Sequence, residues 1–212
     1  MVNHLHFRLK IYDFKLNMKK GLVWIVVLGV LAIIALWAVN AYNGLVEDQE
    51  SVESAWSQVE NQYQRRADLV PNLVATVKGY AKHEQETLEN VVAARAKATQ
   101  VTVDPANVTP EQLAAFQAAQ GELSQALGRL LAVAENYPDL KANENFRDLQ
   151  AQLEGTENRI AVARQLFNES AKAYNTRVRR FPSNIVASLA GFEKKPYFEA
   201  EPEASKAPKV EF

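Results

Sequence analysis

The sequence predicts an all-α protein, in which one N-terminal transmembrane helix is followed by an antiparallel, up-and-down four-helix bundle of long helices and a disordered C-terminal tail. Three observations support this fold class. A long segment near the N-terminus carries no charge, apolar residues then recur at every third or fourth position, and proline, lysine and glutamate dominate the end of the chain. The predicted divisions are a short basic segment (1–20), the span (21–39), the helical domain (40–192) and the tail (193–212).

The uncharged segment 21–39 has the length of a membrane-spanning helix. At a rise of about 1.5 Å per residue it is about 28 Å long, close to the bilayer core of about 30 Å. Trp24 and Trp37 are the predicted membrane anchors, because indole rings favour the interface between water and lipid. The alternative is a cleaved signal peptide, whose apolar region would be only about 7–15 residues long.

The charges on either side of the span predict its orientation. Basic residues dominate segment 1–20, whereas several acids precede Arg65, the first basic residue after the span. Because Lys and Arg are retained in the cytoplasm, we expect the N-terminus inside and residues 40–212 outside. Met18-Lys19-Lys20 would itself make a normal start before the span, so residues 1–17 are a candidate misannotated extension.

The composition excludes several classes of function. The chain has no cysteine, which excludes disulfides, thiol chemistry and cysteine-based zinc sites. Acidic side chains outnumber basic ones after the span, so no nucleic-acid partner is expected. His83 is the only histidine there, and the sequence has neither a Gly-x-Ser-x-Gly elbow nor a phosphate loop. We therefore expect no catalytic residue, no metal, no cofactor and no enzymatic activity.

Four amphipathic helices follow the span. Their apolar stripes run from Leu45 to Val70, from Leu73 to Ala94, from Leu113 to Ala134 and from Phe146 to Phe181. The third helix begins with a capping box, Thr109-Pro110-Glu111-Gln112, and ends before Pro138.

Pro71 allows two interpretations. It could kink one long helix, or it could begin a second helix after a tight turn at residues 68–70. The nearly equal lengths of segments 42–68, 71–98 and 110–136 favour the turn, since antiparallel neighbours have similar lengths. In the predicted topology the fourth helix brings Phe181 back near Tyr42.

Three features indicate interaction rather than chemistry: a small-residue face on the third helix, a cluster of residues near the membrane, and Arg66. The third helix presents small residues, including Gly121 and Gly128, where a solvent-facing helix normally carries charge. This face could bind a partner or a second copy, or alanine could simply favour the helix. Tyr42-Asn43 and Phe181-Pro182-Ser183-Asn184 could form a membrane-proximal cluster, or they could only cap helices.

Arg66 falls on the buried stripe of the first helix. Its side chain could pair with Asp139 or Glu144, but we favour a side chain that extends to solvent. In the tail, Pro196-Tyr197-Phe198 could dock on the bundle or could remain free.

Many of these residues together resemble the LemA family of bacterial membrane proteins, over nearly the whole chain from Met18. The resemblance is carried by Tyr42-Asn43, Trp56, Gln62-Tyr63, Arg65-Arg66, Asp68-Leu69-Val70-Pro71-Asn72-Leu73, Val77-Lys78-Gly79-Tyr80, Tyr137-Pro138-Asp139-Leu140, Glu157-Asn158-Arg159-Ile160, Tyr174-Asn175, Phe181-Pro182-Ser183-Asn184, Gly191-Phe192 and Pro196-Tyr197-Phe198.

The resemblance implies a single-pass protein of the bacterial cytoplasmic (inner) membrane with no established catalytic residues. Genes of this family often lie near those of membrane metalloproteases and other envelope proteins. The expected function is therefore that of a non-catalytic scaffold or adaptor for envelope proteins, accessory to membrane proteolysis or to an envelope stress response. The alternative is a membrane-organising or remodelling protein that works as a homo-oligomer. The expected partners are the lipid bilayer and envelope proteins, with a membrane metalloprotease as one candidate.

Overall fold

The computed structural model describes the backbone of residues 2–199 and the side chains of residues 22–199. The basic segment and the proposed start at Met18 lie outside the described side chains. The chain is all-α over the described residues. Its helices are α1 (Val2–Tyr80), α2 (Gln85–Gln100), α3 (Pro110–Ala134), α4 (Pro138–Ala142), α5 (Glu144–Arg179) and α6 (Ser183–Ala190).

The predicted span forms part of α1. Among the described residues, α1 is the one helix that is long and apolar enough to cross a membrane, and its apolar part is exposed. Trp24 is 67% exposed and Trp37 is 37% exposed. The same helix then continues without a break into the folded domain, so the described chain has one candidate membrane-spanning helix followed by an all-α domain.

Helices α1, α2, α3 and α5 form the up-and-down bundle. Pairs along α1 and α5 show their antiparallel register. Arg177 Nε bonds Asp48 Oδ2 at 2.9 Å, and Arg159 Nε donates to Gln62 Oε1 at 3.2 Å. Between α2 and α3, Lys97 Nζ lies 2.6 Å from Glu122 Oε1. The four-helix architecture is therefore confirmed, and both ends of the domain return to the membrane side.

The turn predicted at Pro71 is wrong, because α1 passes through this proline and ends at Tyr80. The chain reverses direction at residues 81–84 instead, and α2 is correspondingly short. Proline lacks an N–H, so the carbonyl of Ala67, four residues earlier, loses its helical donor. Arg95 Nε on α2 donates to that carbonyl at 2.8 Å. A side chain from the neighbouring helix thus replaces the missing backbone hydrogen bond.

The hydrophobic core has two parts along the bundle axis. The membrane-proximal part surrounds Trp56 and Phe167, and the distal part surrounds Leu73 and Leu123. Arg66 lies between them in sequence on α1, and it is 1% exposed. A polar layer therefore separates two apolar ones.

Side chains cap the N-termini of α3 and α5. Thr109 Oγ1 accepts from the Gln112 N–H at 3.2 Å, and Gln112 Oε1 accepts from the Thr109 N–H at 3.1 Å, which confirms the capping box. Asn143 Oδ1 caps α5 by accepting from the Phe146 N–H at 3.0 Å. The Phe181–Pro182 peptide bond is cis, and Gly191 ends α6 with a φ of 77°, a left-handed conformation that favours glycine.

The packed chain extends further than predicted at its C-terminal end. Residues 193–199 were expected to belong to the disordered tail, but they lie along the bundle, and Lys195 and Phe198 are buried. We call residues 193–199 the C-terminal strap. The remainder of the predicted tail, 200–212, lies outside the described residues.

Candidate interaction surfaces

Arg66 is the centre of the polar layer. Its Nη1 donates to Glu157 Oε1 at 2.8 Å and to Ser124 Oγ at 2.6 Å. Its Nη2 donates to the carbonyl and to the side-chain oxygen of Gln120, at 3.0 and 2.7 Å. Gln120 Nε2 in turn donates to the Ala98 carbonyl at 3.2 Å. This network joins α1, α2, α3 and α5.

The expected extension of Arg66 to solvent is therefore wrong. Its carboxylate partner is Glu157, and not Asp139 or Glu144, because α1 continues for more than a dozen residues beyond Arg66 and places it in mid-bundle. The guanidinium also lies 5.1 Å from the centre of the Tyr63 ring. A cavity of about 50 Å³ adjoins it, lined in part by Tyr63, Gly121 and Glu157. A buried cation held by a carboxylate and neutral oxygens stabilises the alignment of the helices.

Two asparagines of α5 hold the C-terminal strap. Asn175 Nδ2 donates to the Lys195 carbonyl, and the Lys195 N–H donates to Asn175 Oδ1, both at 2.8 Å. Asn168 makes the same pair with Phe198, at 3.0 and 2.8 Å. Seven helical residues rise about 10.5 Å, and three extended residues span about 10 Å. The spacing of the asparagines therefore matches the spacing of their partners.

The aromatic ring of Phe198 anchors the strap in the core. It stacks on Trp56 with ring centres 5.8 Å apart, and it meets Phe167 edge-on at 5.3 Å. The guanidinium of Arg164 lies 5.1 Å from its ring centre. The sequence left open whether Pro196-Tyr197-Phe198 docks on the bundle or remains free. In the structure this segment docks on the bundle.

Lys195 connects the strap to the loop between α2 and α3. Its Nζ donates to the carbonyls of Ala106 and of Pro105, the latter at 3.3 Å. Burial lowers the pKa of Lys195, and nearby Glu53 and Asp104 oppose this shift. The pKa of Asp104 is itself lowered, chiefly by the hydrogen bond from the Asn107 side chain.

The membrane-proximal residues also lie together at one end of the bundle. The rings of Tyr42 and Phe192 meet edge-on, with centres 5.5 Å apart. A Cβ at Gly44 would clash with the guanidinium of Arg177, so glycine leaves room for this side chain where it pairs with Asp48. Asp48 is partly buried, and desolvation raises its pKa although Arg177 opposes the shift.

The other predicted residues of this end point outward. Phe181 is 77% exposed, and Asn43, Pro182 and Asn184 are exposed as well. The Asn184 N–H donates to the Arg180 carbonyl at 2.9 Å. The structure thus brings Tyr42 and Phe192 together, and it places Phe181 at the same end without burying it.

The remaining predicted residues divide into exposed and buried positions. Asp68, Pro71 and Asn72 are exposed on α1, where Asp68 Oδ1 accepts from Gln64 Nε2 at 2.7 Å. Trp56, Tyr63, Tyr174 and Asn175 are buried. Gly128 is exposed and Gly121 is partly exposed on α3, and a Cβ at either would meet no atom within 4 Å.

An apolar groove lies in the distal half of the bundle, between α1 and α2. Its volume is about 550 Å³, and Val74, Leu88 and Val92 contribute to its wall. Val92 is 52% exposed. Within the part of the chain that the structure describes, no three His, Asp or Glu side chains are grouped so that they could hold a metal ion.

Several contacts were not predicted from the sequence. Arg95 supplies the hydrogen bond that is missing at Pro71. Gln120 and Glu157 bind Arg66 in the polar layer. Asn168 holds the strap at Phe198. The seven-residue spacing of Asn168 and Asn175 was the one available signal, since asparagine is uncommon in the interior of a helix.

Comparisons with known proteins show the family of this chain. The sequence profile of the LemA family matches residues 55–212. Magnetosome protein MamQ 2 of Paramagnetospirillum magneticum is 30% identical over 199 residues, covering 86% of this chain and 73% of the relative. Magnetosome protein MamQ of Magnetospirillum gryphiswaldense is 29% identical over 178 residues, covering 76% and 65%. Protein LemA of Metamycoplasma hominis is 26% identical over 149 residues, covering 70% and 64%. Because this profile matches most of its length, this chain belongs to the LemA family.

Proposed function

We propose that this protein is a non-catalytic, membrane-anchored scaffold or adaptor for proteins of the cell envelope. The observation that carries the proposal is the continuity of α1, which runs as one helix from the span to Tyr80 at the distal end of the bundle. The 59 residues from Leu22 to Tyr80 extend about 88 Å along a helix axis. Such a rod holds a binding surface at a fixed height above the bilayer.

The distal groove between α1 and α2 is the surface that we assign to a protein partner. It combines exposed Val92 with the apolar side chains of Val74 and Leu88. Apolar grooves rimmed by charged side chains are typical of protein-binding sites. An envelope or membrane protein, including a membrane metalloprotease, would bind there, and the scaffold would serve proteolysis or an envelope stress response. The relatives support a non-catalytic role in so far as they are named after a cellular structure and not after a reaction.

Crosslinking in intact cells tests this proposal. A photo-crosslinking amino acid replaces Val92 in the groove or, as the matched control, Val162 on α5, which is 57% exposed. We expect the Val92 position to trap one envelope protein and the Val162 position to trap none. Equal products from both positions, or no heterologous product from Val92, would contradict the proposal.

A second function is favoured by the exposed small-residue face of α3. Ala114, Ala118 and Gly128 are exposed there, and small side chains allow helices to approach closely. Through this face the protein would self-associate and organise the membrane. Gly128→Glu should then abolish chemical crosslinking between copies. Gly79→Glu on α1 is the matched control, because a Cβ at Gly79 also meets no atom within 4 Å.

The proposed orientation places the bundle outside the inner membrane, as the basic residues before the span favour. A periplasmic phosphatase fused after Phe212 should be active, and a reporter that works only in the cytoplasm should be inactive there. The opposite pair of results would reverse the orientation.

A further inference from the structure

Helix α6 presents an apolar stripe that no described part of the chain covers. Phe181, Ile185 and Leu189 are 77%, 50% and 85% exposed. Ile185 and Leu189 are four residues apart and therefore lie on one side of the helix, and Phe181 lies two residues before its start. Ala187, on the opposite side, is 1% exposed and packs against the bundle. We propose that α6 is a second membrane contact, in which this stripe lies in the interface of the bilayer beside the span.

The position of α6 supports a lipid bilayer as the occupant. Before α6, Arg177 on α5 pairs with Asp48 on α1. After α6, Phe192 packs on Tyr42. The chain on both sides of α6 is therefore fixed to α1 between three and nine residues beyond Val39, where the predicted span ends. An apolar stripe at this height faces the bilayer that already surrounds α1.

The charges around the stripe match those of an interfacial helix. Arg179 and Arg180, which directly precede the stripe, are exposed. Basic side chains beside an apolar face bind lipid headgroups while the apolar groups enter the acyl region. Phe181 is a phenylalanine, one of the apolar residues that interfacial segments commonly insert into the bilayer. An eight-residue helix with only one buried side chain gains little from packing on the bundle, so contact with lipid also explains why it is apolar.

This contact does not depend on which protein the distal groove binds. It gives the bundle a second attachment point, and two attachment points fix its tilt relative to the span. The scaffold would then stand at a defined angle to the bilayer, which a single spanning helix does not ensure.

Spin labelling of the full chain in a bilayer tests the proposal. Because the chain contains no cysteine, each of Ile185→Cys, Leu189→Cys and Val162→Cys gives a single labelling site. The chain is reconstituted in vesicles of phosphatidylethanolamine and phosphatidylglycerol. Power saturation then compares collisions with oxygen, which concentrates in lipid, and with a water-soluble nickel chelate. We expect a several-fold higher oxygen-to-nickel ratio at positions 185 and 189 than at position 162.

A second variant separates native immersion from an effect of the label. Adding Phe181→Ser and Ile185→Ser to the Leu189→Cys chain should lower the ratio at position 189 to that at position 162, since each buried apolar side chain favours the bilayer by on the order of tenfold. These side chains are exposed to begin with, so helicity should be unchanged. An aqueous ratio at all three positions would overturn the proposal. Protection of positions 185 and 189 from both reagents would also overturn it, because it would mean that protein covers the stripe.

Discussion

At the scale of single residues, Arg66 shows how one buried charge aligns four helices. Its guanidinium joins α1 to α3 and α5, and Gln120 extends the network to α2. An ion pair of this kind adds little net stability compared with an apolar pair of the same size, but removing one partner leaves an uncompensated charge. The polar layer therefore selects one register between two apolar layers.

The cost of leaving the Arg66 charge without its partner gives a prediction for Glu157. Glu157→Ala should lower the free energy of unfolding by about 1–3 kcal/mol, because the buried guanidinium loses its carboxylate. Adding Arg66→Met should restore part of that loss. Chemical denaturation of the detergent-solubilised chain, followed by circular dichroism, measures both. Losses that simply add would contradict the pairing.

The lowered pKa of Lys195 predicts the direction in which stability changes with pH. Its pKa is lowered by burial, so the folded protein binds this proton less tightly than the unfolded chain does. Stability should therefore rise as the pH increases through the folded pKa, and protonation at neutral pH is a cost. Lys195→Met keeps the aliphatic stem and removes this dependence. The unfolding midpoint of the native chain should rise relative to that of this variant as the pH increases toward 10.5, the ordinary lysine value. A native midpoint that falls relative to the variant as the pH increases would contradict this assignment.

At the scale of elements, α1 continues through Pro71 because α2 supplies a donor. Arg95→Met should cost about 1–3 kcal/mol by leaving the Ala67 carbonyl unpaired. In a Pro71→Ala background the restored backbone N–H replaces Arg95, and the same substitution should cost much less. A double-mutant cycle measures the coupling, with the exposed Arg65→Met as the control. Equal costs in both backgrounds would show that Arg95 acts elsewhere.

The strap is a second element whose attachment can be tested. Asn175→Ala removes both hydrogen bonds to Lys195, so hydrogen exchange of the Lys195 and Phe198 amides should accelerate by about tenfold or more. Asn158→Ala, an exposed asparagine of the same helix, should leave both rates unchanged. Equal acceleration by the two variants would mean that α5 as a whole was loosened.

At the scale of the whole molecule, the protein is a membrane span that extends directly into a bundle. Spin labels at Glu47→Cys and Lys78→Cys, both exposed on α1, should lie about 46 Å apart in one narrow distribution. A tight turn at residues 68–70 would reduce this distance to roughly 20 Å. Pulsed electron resonance on the full chain distinguishes the two. This measurement tests the rod on which the proposed scaffold depends.

The sequence by itself determined the features that arise from neighbouring residues. The span follows from an uncharged run, the all-α class from three- and four-residue spacing, and the start of α3 from the Thr109 capping box. Each signal lies within one continuous segment of the chain, so the spacing of apolar residues and the capping side chains are sufficient to predict it.

Only the tertiary structure decided the features that need a distant partner. From the sequence, Pro71 is predicted to begin a helix after a turn, but in the structure Arg95 donates to the Ala67 carbonyl and the helix continues. The sequence favours a solvent-exposed Arg66, but in the structure Glu157 and Gln120 bind its guanidinium. The strap is predicted to be part of a disordered tail, but Asn168 and Asn175 hold it by hydrogen bonds. In each case the deciding group lies at least twenty residues away in the chain, and its contribution exists only once the helices are packed.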